Sequence, residues 1–145
     1  MDKNIAKNKW EIRKIKDIVN DLGDAPFGSN LKTKDYVEKG VPVIQGRNIK
    51  DNRFEWNKKL YVLKEKFELL RRSHCKKGDI VFPKVGTIGV LAIMPSVEGY
   101  DEFLLSTNLM RISLNENIAH TKYVYYYFTQ SQVKDVIIDV LEFVD

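Results

Sequence analysis

A chain of 145 residues, 43% hydrophobic and 30% charged, can bury one real core and is too apolar to be disordered. Its formal net charge of +4 is a mild basic excess, compatible with a nucleic-acid partner but common among proteins that bind none. One cysteine, Cys75, excludes an internal disulfide and suits a reducing cytoplasm; there is no apolar run of about 18 residues to span a membrane and no apolar signal-peptide core.

Residues 1–9 are polar, with Lys3, Lys7 and Lys9, and are expected to be a disordered, frayed start before Trp10 opens the ordered part. Ile12, Ile15, Ile18 and Val19 recur at roughly helical spacing, which predicts a short helix over residues 11–20 with Arg13, Lys14 and Lys16 on its wet face. Residues 21–30 read as a loop dense in turn formers. Lys32 and Lys34 follow a Gly-Ser-Asn stretch; that combination suits a phosphate backbone and equally suits an ordinary exposed loop.

Val41, Val43 and Ile44 are strand-like, with Pro42 marking a strand start or edge because it has no N–H for a ladder. Gln45, Arg47 and Asn48 carry the donors and acceptors that match base edges, Arg to guanine and Gln or Asn to adenine. Arg47 is the better contact candidate, while Asn48 is read first as a side chain that stabilises a turn. Phe54, Trp56, Leu60 and Tyr61 are expected to cover the core. Leu63, Phe67 and Leu70 fall at helical spacing and predict a helix over residues 64–73, closed by Arg71 and Arg72, cations that complement a helix C-terminus. His74 and Cys75 are adjacent, and adjacency makes no catalytic dyad; an inert surface pair is expected.

The most informative stretch is residues 78–89. Ile80-Val81-Phe82 reads as a buried strand, Gly86 and Gly89 flank Thr87-Ile88, and residues 90–94 form a second apolar run. Two such runs around a glycine-bearing connection predict a hairpin, with Lys84 and Thr87 at its tip. The glycine spacing matches neither common phosphate-binding motif. Residues 104–114 predict one strand or two short ones, interrupted by Ser106-Thr107-Asn108, a triplet that can bond a ligand or mark a bulge. Residues 120–139 are the strongest helix, with Tyr123, Tyr126 and Tyr127 expected to face the core.

Catalytic signatures are missing. The chain has no Asn/Asp-Pro-Pro-Tyr/Phe loop, no Asp/Glu-x-Lys triplet and no Gly-x-Ser-x-Gly elbow. Two histidines and one cysteine cannot close a common structural zinc site. No pair of carboxylates is singled out by spacing as an acid–base dyad, so no catalytic residue and no metal is expected.

Three stretches together resemble a target recognition domain of type I restriction–modification specificity subunits: Trp10-Glu11-Ile12-Arg13-Lys14-Ile15, the Gly40-Val41-Pro42-Val43-Ile44 segment running to Asn48-Ile49, and Gly78-Asp79-Ile80-Val81-Phe82 with Gly86-Thr87-Ile88-Gly89. The tyrosine-rich helix around residues 123–128 fits the close of such a domain. The resemblance implies an α/β (mixed α+β) globule, with a twisted, mostly antiparallel sheet and flanking helices. Residues 10–145 would form one recognition domain, lacking the second recognition domain and the full spacer helix of a complete subunit. The domain would read half of a bipartite double-stranded DNA site from the major groove. It would use no cofactor; partner methyltransferase and restriction subunits would bring S-adenosylmethionine and ATP chemistry. The expected phosphate contacts are Lys32, Lys34 and Arg111, and the expected base readers Gln45, Arg47, Lys84, Thr87 and Asn108, placed on loops expected to share one face. The competing expectation is a non-catalytic interaction or regulatory module that docks on such a complex through an apolar surface at residues 136–144. A nuclease is disfavoured for want of a carboxylate cluster.

Overall fold

The structure, a computed structural model, describes residues 11–131 and 133. Two sheets organise it. The first has strand order β1-β11-β8-β9 and is antiparallel throughout: β1 (Val19–Asp24), β11 (Leu109–Leu114), β8 (Ile80–Pro83) and β9 (Ala92–Ile93). The second has order β2-β6-β3-β10-β7: β2 (Tyr36–Val37), β6 (Tyr61–Val62), β3 (Val41–Ile44), β10 (Glu102–Leu105) and β7 (His74–Lys76). Only β10 and β3 run parallel. A small ribbon joins β4 (Ile49–Lys50) to β5 (Arg53–Phe54). Three helices accompany the sheets among the described residues: α1 (Ile15–Ile18), α2 (Lys64–Leu69) and α3 (Thr121–Thr129). The expected mixed α+β fold with mostly antiparallel pairing is therefore present.

Strand side chains alternate between faces, and that period of two sorts the core into layers. Val81, Leu109, Phe103, Leu105 and Ile44 join the cluster between the two sheets. Their strand neighbours Ile80 and Ile112 turn to the opposite face, where they meet Ile18 of α1 and Val124 of α3. Leu104 and Val43 turn the other way, toward Val62, Leu31 and Phe67 of α2. The second sheet is thus covered on both sides, and the first is covered on its outer side only in part, where Leu22 stays exposed.

The hairpin of β8 and β9 forms as its glycines suggested, and Gly86 and Gly89 take φ of 84° and 94°, a region that side chains resist. Phe54 and Trp56 pack on the inter-sheet core and Leu60 on the α2 side, as expected. Ser106-Thr107-Asn108 is the link by which the chain leaves β10 in one sheet and enters β11 in the other. Asn108 adopts φ 67° there, and the Ser106 N–H donates to the Ile44 carbonyl at 2.8 Å.

Four expectations need correction. The helix over residues 11–20 contracts to the four residues of α1, and Ile12 is fully exposed. The start of the expected 21–30 loop is instead strand: β1 pairs with β11 along its length, so long-range ladder bonds override a turn-rich composition. His74 and Cys75 are not a surface pair: Cys75 is buried, and the His74 ring stacks on Phe67 with centroids 3.7 Å apart. Burial pushes the Cys75 thiol well above its usual range, as expected of a structural cysteine. Finally, Tyr123, Tyr126 and Tyr127 are exposed; the buried side of α3 is Thr121 and Val124, with Tyr125 and Phe128 packed beside them. The expected frayed start, the helix beyond residue 133 and the apolar end at residues 136–144 lie outside the described residues.

Candidate nucleic-acid interface

An open cleft of about 930 Å³ lies where the first sheet ends. Its polar lining includes Asp24, Arg71, Arg72, Lys84, Thr107 and Asn108, and the exposed side chains of Phe27 and Leu69 form an apolar lip. Three strand ends build one wall. β1 stops at Asp24, β8 stops at Pro83, and β11, which lies between them, begins at Leu109. The Ala25 N–H donates to the Leu109 carbonyl at 3.0 Å, and the Lys84 N–H donates to the Asn108 carbonyl at 2.8 Å. The opposite wall is the 3₁₀ turn Arg71–Ser73 that follows α2. The buried Ser73 hydroxyl donates to the Asp24 carbonyl at 2.7 Å and ties the two walls together.

The cleft is mixed in charge: Arg71, Arg72 and Lys84 share it with Asp24 and Glu68. The Lys84 ammonium contacts the Asp24 carboxylate. Arg71 and Arg72 are exposed, and neither has an ion-pair partner among the described residues. In the sequence the two arginines suit only a helix terminus, and nothing singles out Asp24. The signal that was present was an Arg-Arg pair directly before a serine; that this turn faces residue 24 is a tertiary fact.

Of the residues expected to read or position DNA, Lys84 and Asn108 come together in this cleft. Thr87 is exposed on the loop joining β8 and β9. Lys32 and Lys34 are exposed around the 3₁₀ turn Thr33–Asp35. That turn is tied to α2 by a Lys66–Asp35 ion pair of 3.4 Å, and the Lys32 N–H, bonded to Asp35 at 2.7 Å, holds that carboxyl below its ordinary value. Gln45 and Arg47 belong to a different corner, at the 3₁₀ turn Gly46–Asn48, and do not line the cleft. Arg47 is exposed, whereas the Gln45 amide already donates to the Lys58 carbonyl at 3.0 Å. Asn48 is the turn-stabilising side chain that was read first. It is fully buried, its oxygen accepts from the Gln45 N–H at 2.9 Å, and its amide donates to the Asn57 carbonyl at 2.8 Å and the Glu55 carbonyl at 3.1 Å.

Arg111 departs furthest from expectation. It shares strand parity with Leu109 and Ser113 and therefore points into the layer between the sheets, where it is 6% exposed. Its guanidinium donates to the His74 carbonyl at 2.8 Å, the Ser113 hydroxyl at 2.9 Å and the Asp21 carboxylate at 2.7 Å, and lies 3.5 Å from buried Asp79. Arg111 holds Asp21 below its ordinary carboxylate range. A cation committed in this way is a structural group and not a phosphate contact.

The structure thus defines a mixed α+β domain with a cation-rimmed polar cleft at a sheet end. The chain belongs to the type I restriction modification DNA specificity domain family, whose model matches residues 7–139. Its role is accordingly DNA specificity. Among solved structures, the HsdS subunit from Thermoanaerobacter tengcongensis is similar, with a TM-score of 0.47 and 12% identity over 86% of this chain and 34% of that one. The chain therefore spans about a third of that subunit's length. No curated protein matches.

Proposed function

We propose that this domain reads one half of a bipartite duplex DNA site for a type I restriction–modification system. The observation that carries the reading is the convergence of three strand ends and the Arg71–Ser73 turn on one cation-rimmed cleft holding Lys84 and Asn108. Family membership supplies the role, and the cleft supplies a surface with suitable chemistry: cations for phosphates, amide and hydroxyl groups for base edges. A second recognition domain would read the other half-site. Methyltransferase and restriction subunits would carry the catalysis in the cytoplasm, leaving this domain a non-catalytic reader.

Lys32 and Lys34 are assigned to phosphates; Lys84, Thr87, Asn108 and Arg47 are assigned to bases, with Gln45 a weaker candidate because its amide is already bonded. The test is selection from a randomised duplex library at near-physiological salt, since phosphate contacts alone yield affinity that falls steeply with salt. An enriched motif of a few adjacent base pairs is expected. Lys32→Ala should weaken all sequences alike, whereas Arg47→Ala should cost about 1–3 kcal/mol and relax one base position. Equal loss on cognate and scrambled DNA would remove Arg47 from the readers.

The second reading, a docking module for a methyltransferase or restriction complex, draws support from an apolar groove of about 660 Å³ bordered by Ile15, Leu22, Phe82, Met110 and Phe128. A flat library together with co-purification of a methyltransferase would favour it.

A further inference from the structure

Asp24 and Lys84 face each other across β11 because β1 and β8 stop on either side of the point where β11 starts. The backbone bonds Ala25 to Leu109 and Lys84 to Asn108 hold both residues to that central strand. The Asp24 carboxylate is aimed further by accepting the Ala25 N–H at 2.8 Å. Both side chains remain partly in solvent, 47% for Asp24 and 31% for Lys84. An ion pair this exposed contributes little to stability, so the fold does not require it.

A carboxylate in a cleft meant for a polyanion repels phosphate. It becomes favourable only against a donor. In the major groove a G·C pair offers two adjacent acceptors, guanine N7 and O6, followed by the cytosine N4 donor. An ammonium beside a carboxylate matches that order. An A·T pair places its donor between two acceptors and adds the thymine methyl, which matches it poorly. When such a pair docks, the ammonium exchanges the carboxylate for guanine and the carboxylate exchanges the ammonium for cytosine, so neither charge is left without a partner.

The geometry points to Asp24 and Lys84 acting together, within the DNA-reading role proposed above, as the reader of a single G·C base pair, with Arg71 and Arg72 on the flanking phosphates. The Ser73 bond to the Asp24 carbonyl keeps those phosphate contacts in register with the reader.

The test repeats the library selection with the full chain and with Asp24→Ala, Lys84→Met and the double variant Arg71→Ala/Arg72→Ala. The wild-type motif should contain one strongly preferred G·C position. Lys84→Met should lower affinity about tenfold and admit A·T at that position alone. Asp24→Ala should lose the same preference while binding scrambled DNA more tightly. The double arginine variant should weaken every sequence and flatten the salt dependence. A wild-type motif that both single variants leave unchanged, or a responding position that is A·T, overturns the inference and leaves half-site reading standing. A flat wild-type library overturns both. Thermal melting checks each variant, and Asp24→Asn and Lys84→Gln replace any that melts far below wild type.

Discussion

Arg111 lies in the inter-sheet layer on a strand whose two faces are both covered. Removing it takes the counter-charge from Asp79, which is 2% exposed and keeps as partners the neutral Ser113 hydroxyl and Lys76 N–H. Arg111→Ala should therefore destabilise the domain by about 3–5 kcal/mol in urea denaturation, the usual consequence of leaving a buried charge unpaired. The salt dependence of DNA binding by the folded protein should not change, because no phosphate contact is lost. Gly23 belongs to the same arrangement. A Cβ there would lie 2.4 Å from Arg111 Nε, and that side chain is pinned at each nitrogen. Gly23→Ala should cost about 1–3 kcal/mol through the hydrogen bonds it displaces, again read by denaturation. The parity of Arg111 was visible in the sequence, yet Met110, Ile112 and Leu114 alternate with it and mark the other face as the apolar one. Nothing local reveals that the polar-looking face is buried as well.

At the scale of elements, turns with a chemical reason were the most legible. Asn48 stabilises a turn, as its residue type predicts: its side chain closes the turn between β3 and β4 with bonds to three backbone groups. Asn48→Ala should cost about 1–3 kcal/mol, since two carbonyls and one N–H lose their partner in a buried site; a denaturation midpoint near wild type would contradict this. The hairpin of β8 and β9 was legible for a similar reason, because glycine at positive φ joined two apolar runs. Two other elements depart from their local pattern. The aromatic stripe of α3 predicted burial of Tyr123, Tyr126 and Tyr127, but the helix packs through Thr121, Val124 and Tyr125, and those three tyrosines stay outside. β1 contains Asn20, Asp21, Gly23 and Asp24, poor strand formers that pair only because β11 lies alongside.

At the scale of the molecule, ion pairs tie together segments far apart in sequence. Glu98, in the turn bridging Val97 and Tyr100, accepts from Lys59 at 2.8 Å and from the Tyr61 hydroxyl at 2.6 Å. Lys59 and then Tyr61 draw the Glu98 carboxyl down to about 2 from an ordinary 4.5. A carboxyl whose value is lower in the folded state stabilises fully above its unfolded value and loses that contribution as pH falls. The loss should run from about pH 4.5 down toward 2. Glu98→Gln should accordingly show a flatter fall in stability over that window and an unchanged slope above it. Added salt should shrink the difference, because the pair is exposed to solvent.

The family resemblance carried the mixed α+β recognition domain, while local pattern was enough for the central hairpin with Lys84 at its end and for the Asn48 turn. The hairpin and the turn follow from short-range rules: side-chain period, glycine conformation and turn chemistry. Which face Arg111 occupies, that Asp24 meets Lys84, and that Arg71 and Arg72 stand opposite them depend on contacts between residues 37 to 90 positions apart, such as Arg111 with His74 and Asp21. Strand order decides such contacts, and strand order arises from pairing two surfaces that neither segment encodes alone.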